Sequence, residues 1–281
     1  MPRPQADGQG NHCGIASDLA SSYVAGMADA WSPAQYERFR AERAQPFWDL
    51  AALVEPRASM RIADLGCGTG ELTAELHQKL QARETLGVDS SAAMLSRAPQ
   101  APGLRFEQQD IALFEPREKL DLIFSNAALH WIPDHPALLQ RLTAALAPGG
   151  QLAVQMPMAD ELVTHRTASA LARSPEFKLL LGGYERRSPL LEPTRYAAWL
   201  HRLGYARQHV RVFVYTHLLD SRDEVVEWVR GALLTEYQKR LAAPDWERFL
   251  VRYRQLLIPQ LEDERPYFLA YPRILFWGAK N

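Results

Sequence analysis

One stretch constrains the fold of this chain more than any other. Arg61-Ile62-Ala63-Asp64-Leu65 is a short apolar run bounded by a glycine cluster, Gly66-Cys67-Gly68-Thr69-Gly70, and Glu71 to about Leu80 follows with helical periodicity. A strand that turns through glycines directly into a helix is the opening unit of an open α/β sheet. The glycines let the backbone turn sharply and let a ligand approach without meeting a side chain.

The same alternation continues downstream. Thr85-Leu86-Gly87-Val88 reads as a second strand, Ala92 to Ala98 as a short helix, Arg105-Phe106-Glu107 as a third strand and Leu120 to Phe124 as a fourth. Pro136 to Leu146 reads as a helix, and Gly149-Gly150 turns the chain into a fifth strand, Leu152 to Met156. This rhythm predicts a mostly parallel sheet with helices on both faces. The rhythm stops after Met156. Residues from about 158 to 207 hold helical pieces interrupted by Pro175, Gly182-Gly183, Pro189 and Pro193. A sixth strand is expected at Val210 to Thr216, helices from Ser221 and around Trp246 to Leu257, and a last strand at Ile274 to Trp277. Ser221 and Glu224 are spaced as a capping box.

Three units follow. Residues 1–28, rich in Gly, Ser, Ala and Gln, are expected to form a flexible N-terminal tail. Residues 29–157 are expected to form a Rossmann-like core with N-terminal helices. Their first helix opens at Ser32-Pro33 and its apolar pattern breaks at Pro46. Residues 158–281 are expected to supply a helical cap, inserted over the carboxyl ends of the strands, and the strands that complete a seven-stranded sheet. That edge of an open α/β sheet is where ligands bind.

Composition narrows the partners. Across 281 residues, 32 Lys and Arg stand against 33 Asp and Glu, a formal charge of -1, which suggests neither a nucleic-acid partner nor a membrane surface. No apolar run approaches the length of a membrane span. Cys13 and Cys67 are the only cysteines, and a reducing, cytoplasmic setting is the simpler expectation. No Cys or His cluster has metal-ligand spacing, no serine sits in a nucleophile elbow, and no pattern assigns an oligomeric state.

The candidate site residues lie at strand ends. The glycine loop has the spacing G-x-G-x-G rather than the G-x-G-x-x-G of dinucleotide enzymes, and an acid, Asp64, precedes it. A carboxylate there suits a ligand carrying an amino group and is poor company for a pyrophosphate. Asp89, in Gly87-Val88-Asp89-Ser90-Ser91, can accept bonds from two ribose hydroxyls; the alternative is a helix N-cap for the segment from Ala92. Asp110 ends the third strand, where it can reach an adenine amino group or serve as a loop carboxylate. Met94 and Ile111 can pack on adenine or be plain core.

Asp64 to Gly70, Asp89, Asp110-Ile111 and Leu120 to Asn126 together resemble the ordered motifs of class I S-adenosylmethionine methyltransferases. More narrowly, Trp31-Ser32-Pro33, Tyr36, Phe39 to Arg43, Asn126 to His135 and Leu152 to Pro157 resemble the trans-aconitate 2-methyltransferase family, with Asp223 to Arg230 and Tyr271-Pro272-Arg273 fitting its end. His130-Trp131 departs from that family's Gln-Trp, and residues 158–207, with Arg186, Arg187 and Arg195, do not line up with it.

The resemblance implies S-adenosyl-L-methionine as cofactor, held by Asp64, Gly66, Cys67, Gly68, Gly70, Asp89, Ser90, Met94, Asp110, Ile111 and Asn126. It implies methyl transfer to a carboxylate of a small anionic substrate. Trp31, Tyr36, Arg40, Arg43, His130, Trp131 and Arg273 are the candidate substrate residues. Arginine suits a polycarboxylate because its planar fork grips carboxylates bidentately; the alternative for each of these arginines is a solvated face or a surface ion pair. A carboxylate with an ordinary pKa near ~4 is already ionised at pH 7 and needs no general base. A hydroxyl, amine or carbon acceptor would usually need one, and His130 is then the obvious candidate. A cofactor-binding module without activity and a nicotinamide oxidoreductase are the readings from other classes. The three strand-end acids argue against the first, and the loop spacing with Asp64 against the second.

Overall fold

The computed structural model describes residues 40–281, with side chains from Ala44 onward. The first helix among the described residues, α1 (Arg40–Ala51), runs through Pro46. The chain was expected to break there, because proline removes a helical hydrogen bond. Phe47, Leu50 and Ala51 are nonetheless buried on the sheet, and tertiary packing of an apolar face supplies most of a helix's stability in a protein.

Then follow β1 (Arg61–Leu65), α2 (Glu71–Lys79), β2 (Glu84–Asp89), α3 (Ala92–Leu95), β3 (Leu104–Gln108), β4 (Leu120–Asn126), α4 (His135–Ala145) and β5 (Leu146–Pro157). After β5 come α5 (Val163–Ala172), α6 (Pro175–Lys178), α7 (Pro193–Arg202), β6 (Arg207–Leu219), α8 (Glu224–Arg230), α9 (Thr235–Gln238), α10 (Ala243–Leu257) and β7 (Tyr267–Ala279). The sheet has seven strands in the order β3-β2-β1-β4-β5-β7-β6. β1 to β5 are parallel, and β7 runs antiparallel to both β5 and β6.

Three buried clusters hold these layers. On one face, Phe47, Leu50 and Val54 pack with Leu76 of α2 against Ile62, Phe124, Ala153, Leu275 and Trp277. On the other, Leu138 and Leu142 of α4 and Tyr196 and Leu200 of α7 pack against Leu65, Ile123, Val154 and Phe276. The third joins α5, α6, α8, α9 and α10 through residues such as Phe177, Tyr237, Phe249 and Tyr253. It is anchored to the sheet by Leu219, Leu269 and Tyr271. The helical residues after β5 therefore divide: α7 belongs to a sheet face, and the other helices form a core of their own.

The register shows where that helical core joins the sheet. Pairing of β5 with β7 stops at Pro157↔Arg273, but β6 and β7 pair on to Leu219↔Tyr267. A two-stranded ribbon thus projects past the carboxyl end of β5 and carries the helices with it. α8 begins at Glu224 with Asp223 as its N-cap residue, and the Glu224 carboxylate accepts from the Asp220 N–H (3.1 Å). The reciprocal Ser221 cap is not formed; the Ser221 carbonyl accepts from the Glu224 N–H instead.

Candidate functional site

Alternation along the strands places four polar side chains on one face at the sheet's carboxyl edge. Ile62, Phe124, Ala153 and Leu275 all face α1. Side chains two positions away share that face, so Asp64, Asn126, Gln155 and Arg273 do too. Register sets them side by side: Asp64 pairs Phe124, Asn126 pairs Gln155, Gln155 pairs Leu275 and Pro157 pairs Arg273.

The acid end of this row is built around the glycine loop. Asp64 is buried and accepts from Thr73 Oγ1 (2.6 Å), a residue of α2. Burial pushes its carboxyl up to about 7, the Thr73 bond opposes this, and the Asp89 charge adds to it. Gly66, Gly68 and Gly70 have φ of +82°, +57° and +73°, the left-handed region that favours glycine. A Cβ on Gly66 would stand 2.1 Å from Ala128 Cβ, whereas one on Gly68 would meet only Met94 Cε, at 3.4 Å. Gly70 is explained by packing, since a Cβ there would stand 2.4 Å from the Phe106 ring. The Cys67 thiol is turned in beneath the loop, 3.0 Å from where a Gly87 Cβ would lie, and burial pushes its pKa well up.

Asp89 ties β2 to the loop. Its Oδ2 accepts from the Gly68 N–H and its Oδ1 from the Ser91 N–H, both at 2.9 Å. Each carboxylate oxygen has two lone pairs, so each keeps acceptor capacity. The N-cap of α3 is Ser91, which accepts from the Met94 N–H, so Asp89 is not that cap. Ser90 offers its carbonyl to Gln108 Nε2 (3.0 Å). Asp110 caps the short 3₁₀ turn Ile111–Leu113 through Oδ1 (2.8 Å to the Ala112 N–H). Met94 and Ile111 are buried, and the Ile111 Cδ1 reaches within 3.6 Å of a Gly66 Cβ position. Ser125, which the sequence reading passed over, donates to the Leu65 carbonyl (2.7 Å) and locks the tips of β4 and β1 together.

The other end is rich in cations and amides. Asn126 Oδ1 and both amide atoms of the fully buried Gln155 are buried without a hydrogen-bond partner among the described residues. Buried polar groups are normally satisfied, so these atoms have capacity for a ligand's donors and acceptors. The chain leaves β4 through Ala127, at φ +55°. It turns through Leu129–Trp131, where the buried His130 ring lies 4.5 Å from that of Trp131. Burial drives the His130 pKa well down, and the charges of Arg186 and Arg273 push the same way. His130 is therefore neutral at pH 7. Arg273 is 6% exposed, with its guanidinium 5.1 Å from the Tyr271 ring and 5.8 Å from that of Tyr215. Trp31 and Tyr36 lie outside the described residues. Arg40 and Arg43 lie in α1, but their side chains fall outside them too.

Among the described residues no group of three or more His, Cys, Asp or Glu is placed to hold a metal ion, and no helix is long and apolar enough to cross a membrane.

A Rossmann-like sheet with a reversed β7 and a glycine loop bracketed by strand-end acids defines a methyltransferase, and a family model described as a methyltransferase domain matches residues 36–218. Among solved structures, the YcgJ protein of Bacillus subtilis shares the fold at a TM-score of 0.56 and 18% identity, over 85% of this chain and 99% of that one. A putative methyltransferase from Bacillus halodurans does so at 0.53 and 15% identity, over 83% and 98%.

More narrowly, this chain belongs to the trans-aconitate 2-methyltransferase family. It is 44% identical to the trans-aconitate 2-methyltransferase of Deinococcus radiodurans, over 89% of this chain and 98% of that protein. It is 40% identical to that of Methylobacterium nodulans, over 91% and 100%.

Proposed function

We propose that the enzyme transfers a methyl group from S-adenosylmethionine to a carboxylate of trans-aconitate, giving a monomethyl ester. The observation that carries the acceptor is the kinship with enzymes named for that substrate, over nearly their whole length. The polar row at the sheet edge suits the reaction. Asp64 stands where a carboxylate can meet the cofactor's ammonium group, and Asp89 retains acceptor capacity for two ribose hydroxyls. Met94 and Ile111 border the glycine loop as adenine contacts, with Asp110 beside them for the exocyclic amine. Gly66, Gly68, Cys67 and Ser90 contribute backbone to this cradle. Gly70 shapes it through the Phe106 contact. Asn126 Oδ1 remains for a donor on either ligand.

When bound, the cofactor supplies an electrophilic methyl on a sulfonium. The chain's own task is to hold the acceptor oxygen in line with that methyl and to keep water out. Orientation alone is worth roughly 7–11 kcal/mol in well-aligned systems. Carboxylate and sulfonium neutralise each other as they react, so a dry site favours the transition state over the separated charges. Arg273 offers a buried fork to a carboxylate, and Trp31, Tyr36, Arg40, Arg43 and Trp131 are candidates for the remaining contacts. His130, neutral and hard to protonate, is a poor general base, which disfavours a hydroxyl or amine acceptor. A small anionic acid is the partner this site fits, and a cytoplasmic setting matches the cysteine usage.

Incubation with methyl-labelled cofactor and a panel of acids, phenols and amines tests the acceptor. The expected product from trans-aconitate is a base-labile labelled ester. Turnover of a phenol or amine, with no labelled ester from any acid, would overturn the carboxylate assignment.

A further inference from the structure

Arg186 lies in the segment between β5 and α7, and it differs from the other arginines there. Arg187 and Arg195 are exposed, but the Arg186 side chain is 13% exposed and forms an ion pair with Asp160 through Nη1. Asp160 stands three residues beyond the end of β5, and the intervening Met158 N–H is bound by the Pro272 carbonyl (2.8 Å). Asp160 thus pins Arg186 at the carboxyl tip of β5, where Pro157 pairs Arg273. His130 feels the positive charge of both arginines. His165 of α5, buried next to the same ion pair, is pushed down to about 3 by desolvation and the Arg186 charge.

Arg186 and Arg273 thus lie near the same strand tip and act on the same buried histidine. Asp160 is the carboxylate that holds Arg186. Asp160 is held below the usual carboxylate range by the Ser188 bond and by Arg186, so it stays ionised and keeps the guanidinium in place. The contact occupies one end of a five-donor fork.

We propose that Arg186, held in position by Asp160, is a substrate-specificity residue that grips a second, non-reacting carboxylate of the acceptor opposite Arg273. This rests on the carboxylate-acceptor reading above and adds to it that the helical segment, and not the sheet alone, counts the acid's carboxylates. A tricarboxylate would meet cations from both sides. A dicarboxylate with the same reacting end would not fill the Arg186 position.

Steady-state kinetics at saturating cofactor test this on the full chain, with trans-aconitate and an unsaturated dicarboxylate lacking the third arm. Arg186→Gln should raise KM for trans-aconitate about 10- to 100-fold, the range for losing a charged hydrogen bond, and change that for the dicarboxylate less than about threefold. Arg186→Lys keeps the charge but loses the fork, and should give an intermediate rise. It decides the matter if Arg186→Gln does not fold. Asp160→Asn should also raise KM, but not further in an Arg186→Gln background, because a positioning residue acts through its partner. Affinity for S-adenosylhomocysteine, measured by calorimetry, should stay within about twofold of wild type in every variant. Wild-type turnover of trans-aconitate with an unchanged KM in the folded variants would overturn the role of Arg186 alone, as would an equal penalty on both acids. A wild-type enzyme that neither binds nor methylates any polycarboxylate would instead overturn the acceptor reading, and the Arg186 role with it.

Discussion

Asp64 is the residue whose chemistry is most tightly bound to its place. Its carboxyl is buried beneath the glycine loop and lifted to about 7 mainly by desolvation. The folded chain therefore holds a proton that the unfolded chain, with an ordinary Asp pKa of about 3.9, has already released. A raised folded-state pKa contributes stability that is full below about pH 4 and is lost as pH climbs through about 7. An ammonium group placed against Asp64 reverses the preference and favours the ionised form. Affinity for S-adenosylhomocysteine should accordingly increase between about pH 6 and 7.5. The rise in melting temperature that the ligand produces should grow over the same range. In Asp64→Asn the affinity should fall and the pH dependence flatten. An Asn variant that keeps both the affinity and its pH dependence would take the ammonium contact away from Asp64.

Strands and loops were legible in the sequence where period and punctuation agreed. All seven strands were placed, and the glycine loop was read correctly as a sharp strand-to-helix turn; its glycines take positive φ. The ends were misjudged where tertiary contacts outweigh local signals. β7 was expected over Ile274 to Trp277, yet it extends over Tyr267–Ala279, because β6 pairs with it along its whole length, beyond the point where β5 stops. Pro46 was read as a break, and burial of Phe47 and Leu50 carries the helix through it. The role of Gly66 was only half visible. Its place in a sharp turn followed from the motif, but the approach of Ala128 depends on the loop after β4, some sixty residues away in sequence. Gly66→Ala should combine a left-handed backbone penalty of about 1–2 kcal/mol with an overpacking cost of about 1–3 kcal/mol. Urea denaturation should show a loss of at least about 2 kcal/mol together with weakened cofactor binding. A loss under about 0.5 kcal/mol would mean that the two loops do not meet as described.

At the scale of the whole molecule, the sheet edge carries a gradient from acid to base. Asp64 and Asp89 lie at one end and Arg273 and Arg186 at the other, with the amides of Asn126 and Gln155 between them. The acid half was recoverable from the sequence, because each acid directly follows an apolar strand. Of the basic half, Arg273 was a candidate through the family resemblance, and Arg186 was not singled out. Arg186 comes from a loop after a four-residue helix, with nothing periodic to mark which of three arginines turns inward, and His130 reads equally as base or ballast until its burial is known. Together these groups describe an enzyme that binds an acceptor already ionised and positions it without a proton-transfer group. The pH dependence of kcat, measured with trans-aconitate and saturating cofactor, tests that most directly. Because the acceptor carboxylate has lost its proton by about pH 6 and His130 stays neutral throughout, kcat should be level from about pH 6 to 9. A kcat that rises tenfold per pH unit through that range would reveal an essential deprotonation and contradict the account.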